Sequence, residues 1–344
     1  MQKRIRNYGI TIGKYKTGTN NTITDVPGVK VGHCTLHQDK VHTGVTVILP
    51  GSDNPFLHKY TAAAYVHNGF GKTAGIPQIE ELGTLETPIA LTNTLNVGKV
   101  CDAVVSYMID LTHQDGKEVY SINPIVGECN DSRINDIQRR AVTEEHVLSA
   151  IRNASTIFEE GSVGAGTGTV CYGLKGGIGS ASRVITIDDH LYTIGILVQS
   201  NFGSTEDLII NNDPIGKRIM VSMHHEKDAA SKEDRGSIMT ILATDLPVSE
   251  RQLYRIIRRC GVGIARTGAY TGHGSGEIMI GFTTANRKTD QPVSTYSCIH
   301  EDLINPVFEA AAEAVQEAIY NSMVSAEPAV SVDGKIFHSL KEYL

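Results

Sequence analysis

Between Asp234 and Leu242 the chain changes character across a single dipeptide. Upstream, the run His224-His225-Glu226-Lys227-Asp228-Ala229-Ala230-Ser231-Lys232-Glu233 is charged and poor in apolar residues, as in a solvated loop. Downstream, Ile238-Met239-Thr240-Ile241-Leu242 is apolar and β-branched and reads as a buried strand. Ser237 therefore stands where an exposed loop enters the core, behind Gly236, whose backbone can take angles closed to other residues. Such a pair is commonly a plain turn. It also suits a reaction. A hydroxyl beside a strained Gly-Ser bond can attack the Gly236 carbonyl and break the chain, which leaves Ser237 with a free α-amino group. That amine, with a reference pKa of about 7.7 to 8.0, can act as general base for its own hydroxyl at neutral pH.

The length of 344 residues alone suggests two domains. No Pro/Ser-rich linker, low-complexity tract or repeat divides the chain, so residues 1–344 read as one domain. Thirty-four glycines and 40% hydrophobic residues indicate an α/β protein with many tight turns and a substantial core. A net charge of -7, a pI of about 6.0 and the lack of a Lys/Arg block argue against nucleic acid and for a small-molecule partner. The basic start, Met1 to Tyr8, is not followed by an apolar stretch, and no run is long and apolar enough to span a membrane. Six widely spaced cysteines without a C-x-x-C pair read as reduced thiols, so a cytoplasmic location is expected. His33, His37 and His42 match neither H-E-x-x-H nor a Cys/His zinc spacing, and no metal is expected.

Along the chain, Asp25 to His33 reads as a turn feeding a strand, and Gly44 to Leu49, Pro88 to Asn93 and Ser182 to Ile187 as further strands. Val100, Ala103, Val104, Tyr107, Met108 and Leu111 recur at helical spacing and predict a helix over 97–112. Thr143 opens another helix, and Ser249 caps a third with Leu253, Ile256, Ile257 and Cys260 on its buried face. The arginines of that helix read as a solvated face or a subunit contact. Asn305 as cap and Pro306 as first residue start a last helix to about Val324. Small residues dominate Lys59 to Gly71, and no element is assigned there.

Gly161 to Ser180 holds eight glycines but neither G-x-G-x-x-G before a helix nor G-K-[ST], so it reads as a backbone-shaped turn lining a pocket rather than a phosphate cradle. The strand Tyr192 to Gln199 runs out into Asn201, a polar amide that serves either as a turn residue or as an oxyanion donor. Ser275 and Glu277 lie two apart at the start of the strand Ile278 to Phe282, on one face of an extended chain. They form either a polar loop end or a pair that holds a proton for a neighbouring nucleophile.

Nine segments then occur in a telling order: DVPGVKVGH at Asp25 to His33, TGVTVILP at Thr43 to Pro50, HNGFG at His67 to Gly71, LTNTLNVG at Leu91 to Gly98, GSVGAGTG at Gly161 to Gly168, KGGIG at Lys175 to Gly179, VQSNFG at Val198 to Gly203, GSI at Gly236 to Ile238 and GSGE at Gly274 to Glu277. In this order, over roughly residues 20 to 325, the chain resembles the self-processing serine aminopeptidases that include L-aminopeptidase/D-amidase-esterases and β-peptidyl aminopeptidases. The resemblance implies a four-layer αββα sandwich, similar to that of ornithine acetyltransferases, and a self-processed N-terminal-nucleophile hydrolase. Carried over, Ser237 is the nucleophile and new N-terminus, with autocleavage between Gly236 and Ser237 into chains 1–236 and 237–344. Asn201 contributes to the oxyanion hole, and Ser275 with Glu277 assists proton transfer. No cofactor is implied, and relatives commonly assemble as homotetramers of cleaved heterodimers.

One segment departs from the pattern. Relatives often carry a glycine and an active-site aromatic, in some members a tyrosine, where this chain has Ser132 and Arg133. The substitution bears on a second oxyanion contact and on substrate preference. Glu128 and Asp131 are candidates for the cationic amine of a peptide, amino-acid amide or ester, since a carboxylate is the natural counterpart of a free ammonium group. Two other readings fit the same residues. One is an uncleaved, non-catalytic relative that binds a small ligand in a pocket around Arg133; the other is an acyltransferase, although that kind usually carries threonine at the position of Ser237.

Overall fold

The computed structural model describes residues 2–223, 236–288 and 291–344. The charged run His224 to Arg235 lies outside the described residues. A hairpin of β1 (Lys30–Gln38) and β2 (Val41–Leu49) opens the first sheet, which β5 (Ile89–Asn93) and β6 (Ile125–Cys129) complete in the order β1-β2-β5-β6. The second sheet uses β3 (Lys59–Gly69), β4 (Thr84–Leu85), β9 (Gly177–Ile187), β10 (His190–Asn201), β11 (Ser237–Thr244) and β12 (Gly276–Lys288) in the order β4-β3-β12-β11-β10-β9. A two-stranded ribbon, β7 (Val170–Cys171) with β8 (Leu174–Lys175), precedes β9. Helices α1 (Ile76–Leu82), α2 (Val97–Gln114), α3 (Glu144–Arg152), α4 (Ile215–Ser222), α5 (Glu250–Ile257), α6 (Cys260–Ala265) and α7 (Asn305–Val324) connect and cover the strands.

Both sheets are mostly antiparallel, but β5 with β6 and β11 with β12 run parallel. Each parallel pair needs a crossover, and α2 supplies one while α5 and α6 supply the other. Alternation along the strands sorts side chains into three apolar layers. Met239, Ile241 and Ile280 of the second sheet meet Ile48, Leu91 and Ile125 of the first between the two sheets. Ile238, Leu242 and Met279 point the other way, against α5, α6 and α7. Val45, Val47 and Val126 face α2 and α3 on the far side of the first sheet. The result is the four-layer αββα sandwich.

Local sequence explains most of these elements. Thr143 precedes α3 as expected, and Ser249 with Gln252 closes a reciprocal capping box on α5, each bond 3.2 Å. The arginines around α5 are engaged rather than free: Arg255 and Arg259 stack on Phe308, and Arg258 lies over Tyr65 and Tyr254. At the last helix Ile304 is the cap, so Asn305 and Pro306 are its first two residues, one position earlier than the sequence suggests. The small-residue stretch from Lys59 is a full strand, β3. Alanine is a poor strand former in isolation, and pairing with β12 on one side and β4 on the other imposes the conformation.

Helix α7 is buried along nearly its whole length, and it lies so close to β9 that a Cβ on Gly179 would sit 2.0 Å from the Ala318 carbonyl oxygen. Two of its acidic residues, Glu313 and Glu317, are buried against the wholly buried Arg183. Arg183 of β9 donates from Nε to Glu313 at 3.1 Å and from Nη2 to Glu317 at 2.8 Å, and Arg6 adds a second guanidinium to Glu317 at 2.7 Å. Burial opposes the Glu317 charge, yet the hydrogen bond from Arg6 and the Arg183 charge outweigh it and hold the carboxyl below its ordinary range. This contribution is therefore full above the unfolded pKa of about 4.3 and fades as pH falls through the lower folded value. Glu317→Gln leaves two guanidinium groups, Arg183 and Arg6, with only the Glu313 carboxylate on Arg183 to balance them, and should lower the unfolding free energy by about 3 kcal/mol at pH 7. Urea titrations of both proteins at pH 7 and below pH 4 check this, with the difference shrinking in acid.

Candidate active site

Three strand ends meet at one point of the second sheet. β10 ends at Asn201, β11 begins at Ser237 and β12 begins at Gly276, and pairing puts Asn201 opposite Ser237 and Ser237 opposite Gly276. The apolar run after Ser237 fixes this register, because a slip by one residue would turn Met239 and Ile241 out of the layer between the sheets. The Gly276 N–H donates to the Gly236 carbonyl at 3.1 Å. Neither glycine has room for a side chain: a Cβ on Gly236 would lie 2.4 Å from Phe202 Cα, and one on Gly276 2.8 Å from the Phe70 carbonyl oxygen.

The Asn201 amide is turned toward the serine. Its Oδ1 accepts from the Val170 N–H at 2.9 Å, which leaves Nδ2 to donate to Ser237 Oγ at 3.4 Å. Both residues are buried, with 7% and 5% of their surfaces exposed, so a charge formed here meets little bulk water to screen it. At the entry to the adjoining strand the wholly buried Ser275 hydroxyl donates to Glu277 Oε1. Asn68 of β3 holds the turn before them, donating from Nδ2 to the carbonyls of Gly272, at 2.9 Å, and Ser275.

Two neighbours of this cluster escape sequence reasoning. Cys129, at the end of β6 in the facing sheet, lies within hydrogen-bonding reach of Ser237 and donates to the Gln199 carbonyl at 3.3 Å. Burial, reinforced by the Glu128 charge, pushes its thiol far above the ordinary range, so it stays protonated and does not compete as a nucleophile. Asn68 is the other. Asn68 lies inside the HNGFG segment and Cys129 directly after Glu128, but their contacts are long-range and only the fold reveals them.

The residues after β5 and β6 divide by environment. Glu128 is buried and accepts from the Lys72 N–H at 2.9 Å and from the Thr94 hydroxyl. Asp131 is wholly buried, accepts from Asn93 at 3.1 Å and Asn135 at 2.9 Å, and has its pKa pushed up to about 6 by desolvation. Ser132 and Arg133 are exposed on the turn that follows β6.

The glycine-rich run packs backbone on backbone against the entry to β9. A Cβ on Gly166 would lie 2.4 Å from the Ile178 nitrogen, and one on Gly177 2.4 Å from the Gly161 oxygen. Its carbonyls turn inward to the wholly buried Lys175, whose Nζ donates to Gly166, Thr169 and Gly176 at 2.9, 3.0 and 2.7 Å. That polarity is the reverse of a phosphate cradle, which presents N–H groups. Among the described residues no three His, Cys, Asp or Glu side chains gather as metal ligands do. A separate cleft of about 360 Å³, lined by residues including Tyr8, Ile210, Arg218 and Leu344, shares no residue with the cluster around Ser237.

Comparison with known proteins places this arrangement. The profile of peptidase family S58 matches residues 21–337. The chain belongs to that family. It is 35% identical to the β-peptidyl aminopeptidase BapA of Sphingosinicella microcystinivorans, over 96% of this chain and 88% of that one. Its fold superposes on the PH0078 protein from Pyrococcus horikoshii OT3 with a TM-score of 0.91 and 44% identity, covering 98% of this chain and 96% of the other. The L-aminopeptidase D-Ala-esterase/amidase of Ochrobactrum anthropi, described as a prototype for the serine aminopeptidases and a variant of the Ntn hydrolase fold, superposes with a TM-score of 0.90 at 34% identity, covering 98% and 95%. As a member of family S58 the protein is a hydrolase of the serine aminopeptidase kind. Within that family setting, Ser275→Ala and Glu277→Gln should each lower turnover of an aminoacyl anilide by at least about a hundredfold, without moving the melting temperature by more than a few degrees. Equal turnover by wild type and both variants would remove the pair from the chemistry.

Proposed function

We propose that the chain cleaves itself between Gly236 and Ser237, and that Ser237 then serves as an N-terminal nucleophile releasing N-terminal amino acids from peptides, amino-acid amides or esters. The observation that carries this reading is the Asn201 Nδ2 directed at Ser237 Oγ, beside a Gly236 carbonyl already accepting from the Gly276 N–H. In self-cleavage the Ser237 oxygen attacks the Gly236 carbonyl carbon, the amide nitrogen leaves as the amine of Ser237, and water hydrolyses the resulting ester. Withdrawal of Gly236 frees the Gly276 N–H. A substrate carbonyl entering the same place meets two donors, Asn201 Nδ2 and Gly276 N, for its developing oxyanion.

In the peptidase cycle the Ser237 amine takes the proton of its own hydroxyl and passes it to the departing amine, and Ser275 with Glu277 holds and orients the proton. Water then releases the acyl group and regenerates the serine. Glu128 pairs with the substrate's ammonium group, whereas the Asp131 carboxylate, engaged by Asn93 and Asn135, shapes the site from behind. Arg133, exposed on the turn beyond Glu128, meets the substrate at the rim. The curated relative is named for β-peptides and one structural neighbour for L-amino-acid and D-Ala derivatives, which supports a small peptide, amide or ester substrate. The resemblance further supports a homotetramer of cleaved heterodimers. The lack of any disulfide among the six cysteines supports a cytoplasmic location, and no helix among the described residues is long and apolar enough to cross a membrane.

Self-cleavage gives fragments of about 26 and 12 kDa, the shares of the 37.2 kDa chain carried by residues 1–236 and 237–344. Ser237→Ala should stay whole and inactive, while Ser237→Cys cleaves more slowly, because a thiol performs the same acyl shift. Fragment masses and N-terminal sequencing decide. An intact, inactive wild type would favour a binding role, and an intact but active one would mean that another group is the nucleophile.

N-acetylating the substrate removes the charge that Glu128 is proposed to meet. The value of kcat/KM should fall by at least about a hundredfold, since a neutral amide cannot repay desolvation of the carboxylate. Equal rates on free and acetylated substrates would sink the Glu128 assignment.

A further inference from the structure

The Asn201 amide is held at its oxygen by one peptide unit, and that unit leads to a buried charge. Val170 N–H donates to Asn201 Oδ1 at 2.9 Å. The carbonyl of the same peptide, Thr169 O, accepts from Lys175 Nζ at 3.0 Å and from the Gly176 N–H at 3.0 Å. Lys175 has no solvent exposure, and its ammonium donates to three main-chain carbonyls. An ammonium has three N–H bonds, so all of its donors are used.

We propose that Lys175 is a positioning residue for the oxyanion hole: its ammonium acts through the Thr169–Val170 peptide to fix the Asn201 amide with Nδ2 toward Ser237 and to strengthen that Nδ2 as a donor. The inference rests on the reading of Asn201 as an oxyanion donor. Two physical effects carry it. A carboxamide can rotate by half a turn and exchange its O and N, but a fixed N–H facing Oδ1 permits only one of the two orientations. Hydrogen bonds in series also polarise one another, so a cation on the Thr169 carbonyl makes Val170 N–H a better donor, and the bond it makes to Oδ1 does the same for Nδ2. Positive charge thus reaches the oxyanion through two amides, without a lysine in the substrate's way.

The titratable groups facing the ammonium are Asp131, whose charge favours it, the Cys171 thiol, and His42, whose own protonation it disfavours. Burial outweighs Asp131 and lowers the Lys175 pKa to about 7, so the charge is present in mild acid and is lost as pH rises through neutrality. A role confined to closing the glycine-rich loop would not reach Ser237 through Asn201, and this separates the two.

Lys175→Met keeps the length and removes the charge. Self-cleavage, followed as the appearance of the fragment beginning at Ser237, and kcat on the cleaved fraction should each fall about thirtyfold, with KM within about threefold of wild type. Asn201→Ala should fall at least as far, and the double variant should be within about twofold of Asn201→Ala alone, because Lys175 acts only through that amide. Losses that multiply, or a Lys175→Met enzyme with wild-type kcat, overturn the relay while leaving Asn201 in place. An Asn201→Ala enzyme with wild-type kcat removes the oxyanion reading and the relay with it. Should Lys175→Met fail to fold, the pH profiles of wild type and Asn201→Ala carry the test: a fall in kcat above about pH 7 present only in wild type supports the relay, and the same limb in both overturns it.

Discussion

The hydrogen bond from Gly276 N–H to the Gly236 carbonyl ties the geometry of the site to the geometry of the sheet. It is the first rung of the parallel pairing between β11 and β12, and Asn201 enters from the other side as the last rung between β10 and β11. A strand register is set by hydrophobic burial along its whole length, so the site's alignment is enforced by residues far from it, among them Ile241, Leu242 and Ile280. Loops alone could not hold a polar hydroxyl, an amide and a carboxylate at such fixed relative heights. Strand ends can, because each polar group is anchored one residue from a ladder that water does not reach.

Close packing of main chain on main chain is the second constraint. Gly179 lets α7 approach β9, and Gly166 and Gly177 let the glycine-rich run lie on the entry to that strand. Backbones brought together in this way bury carbonyls that no side chain of ordinary reach could satisfy from the surface. Lys175 answers that need from inside. The desolvation that its ammonium suffers is reduced, but not overcome, by three carbonyl dipoles and by Asp131, so lysine and aspartate sit completely buried here with shifted titration.

Much of this is legible in the sequence, for a physical reason. Hydrophobic period and turn residues are local signals, so α2, α3, α5 and the strands β2, β5, β9 and β10 stand out. Ser237 marks itself by lying between a charged run and an apolar one, and Ser275 and Glu277 by their spacing of two. The strand β3 is hidden because alanines carry little local preference. Cys129 and Asn68 are hidden because their contacts join segments far apart in the chain, Cys129 with Gln199 70 residues on and Asn68 with Gly272 204 residues on. Glu128 and Asp131 look alike in the sequence and differ only in what surrounds them: Asp131 is enclosed by Asn93 and Asn135, whereas Glu128 meets the Lys72 N–H and Thr94. Identical chemistry at the level of residue type is separated by tertiary environment alone.

The same arrangement bears on how a chain could survive being cut at its own active site. β11 is buried over all eight of its residues and paired along both edges, from Asn201 back to Ile194 on one side and from Gly276 to Thr283 on the other. Only the rung from the Gly276 N–H to the Gly236 carbonyl touches the Gly236–Ser237 peptide. A break there would give up that single rung and leave both ladders paired from Ser237 onward, so Ser237 would remain fixed by its neighbours while gaining an amine. Were the serine one strand-length deeper, a break would divide the ladder and expose apolar surface. The edge of the buried strand avoids that outcome while keeping Ser237 in register, and it is the edge at which the sequence places Gly236 and Ser237.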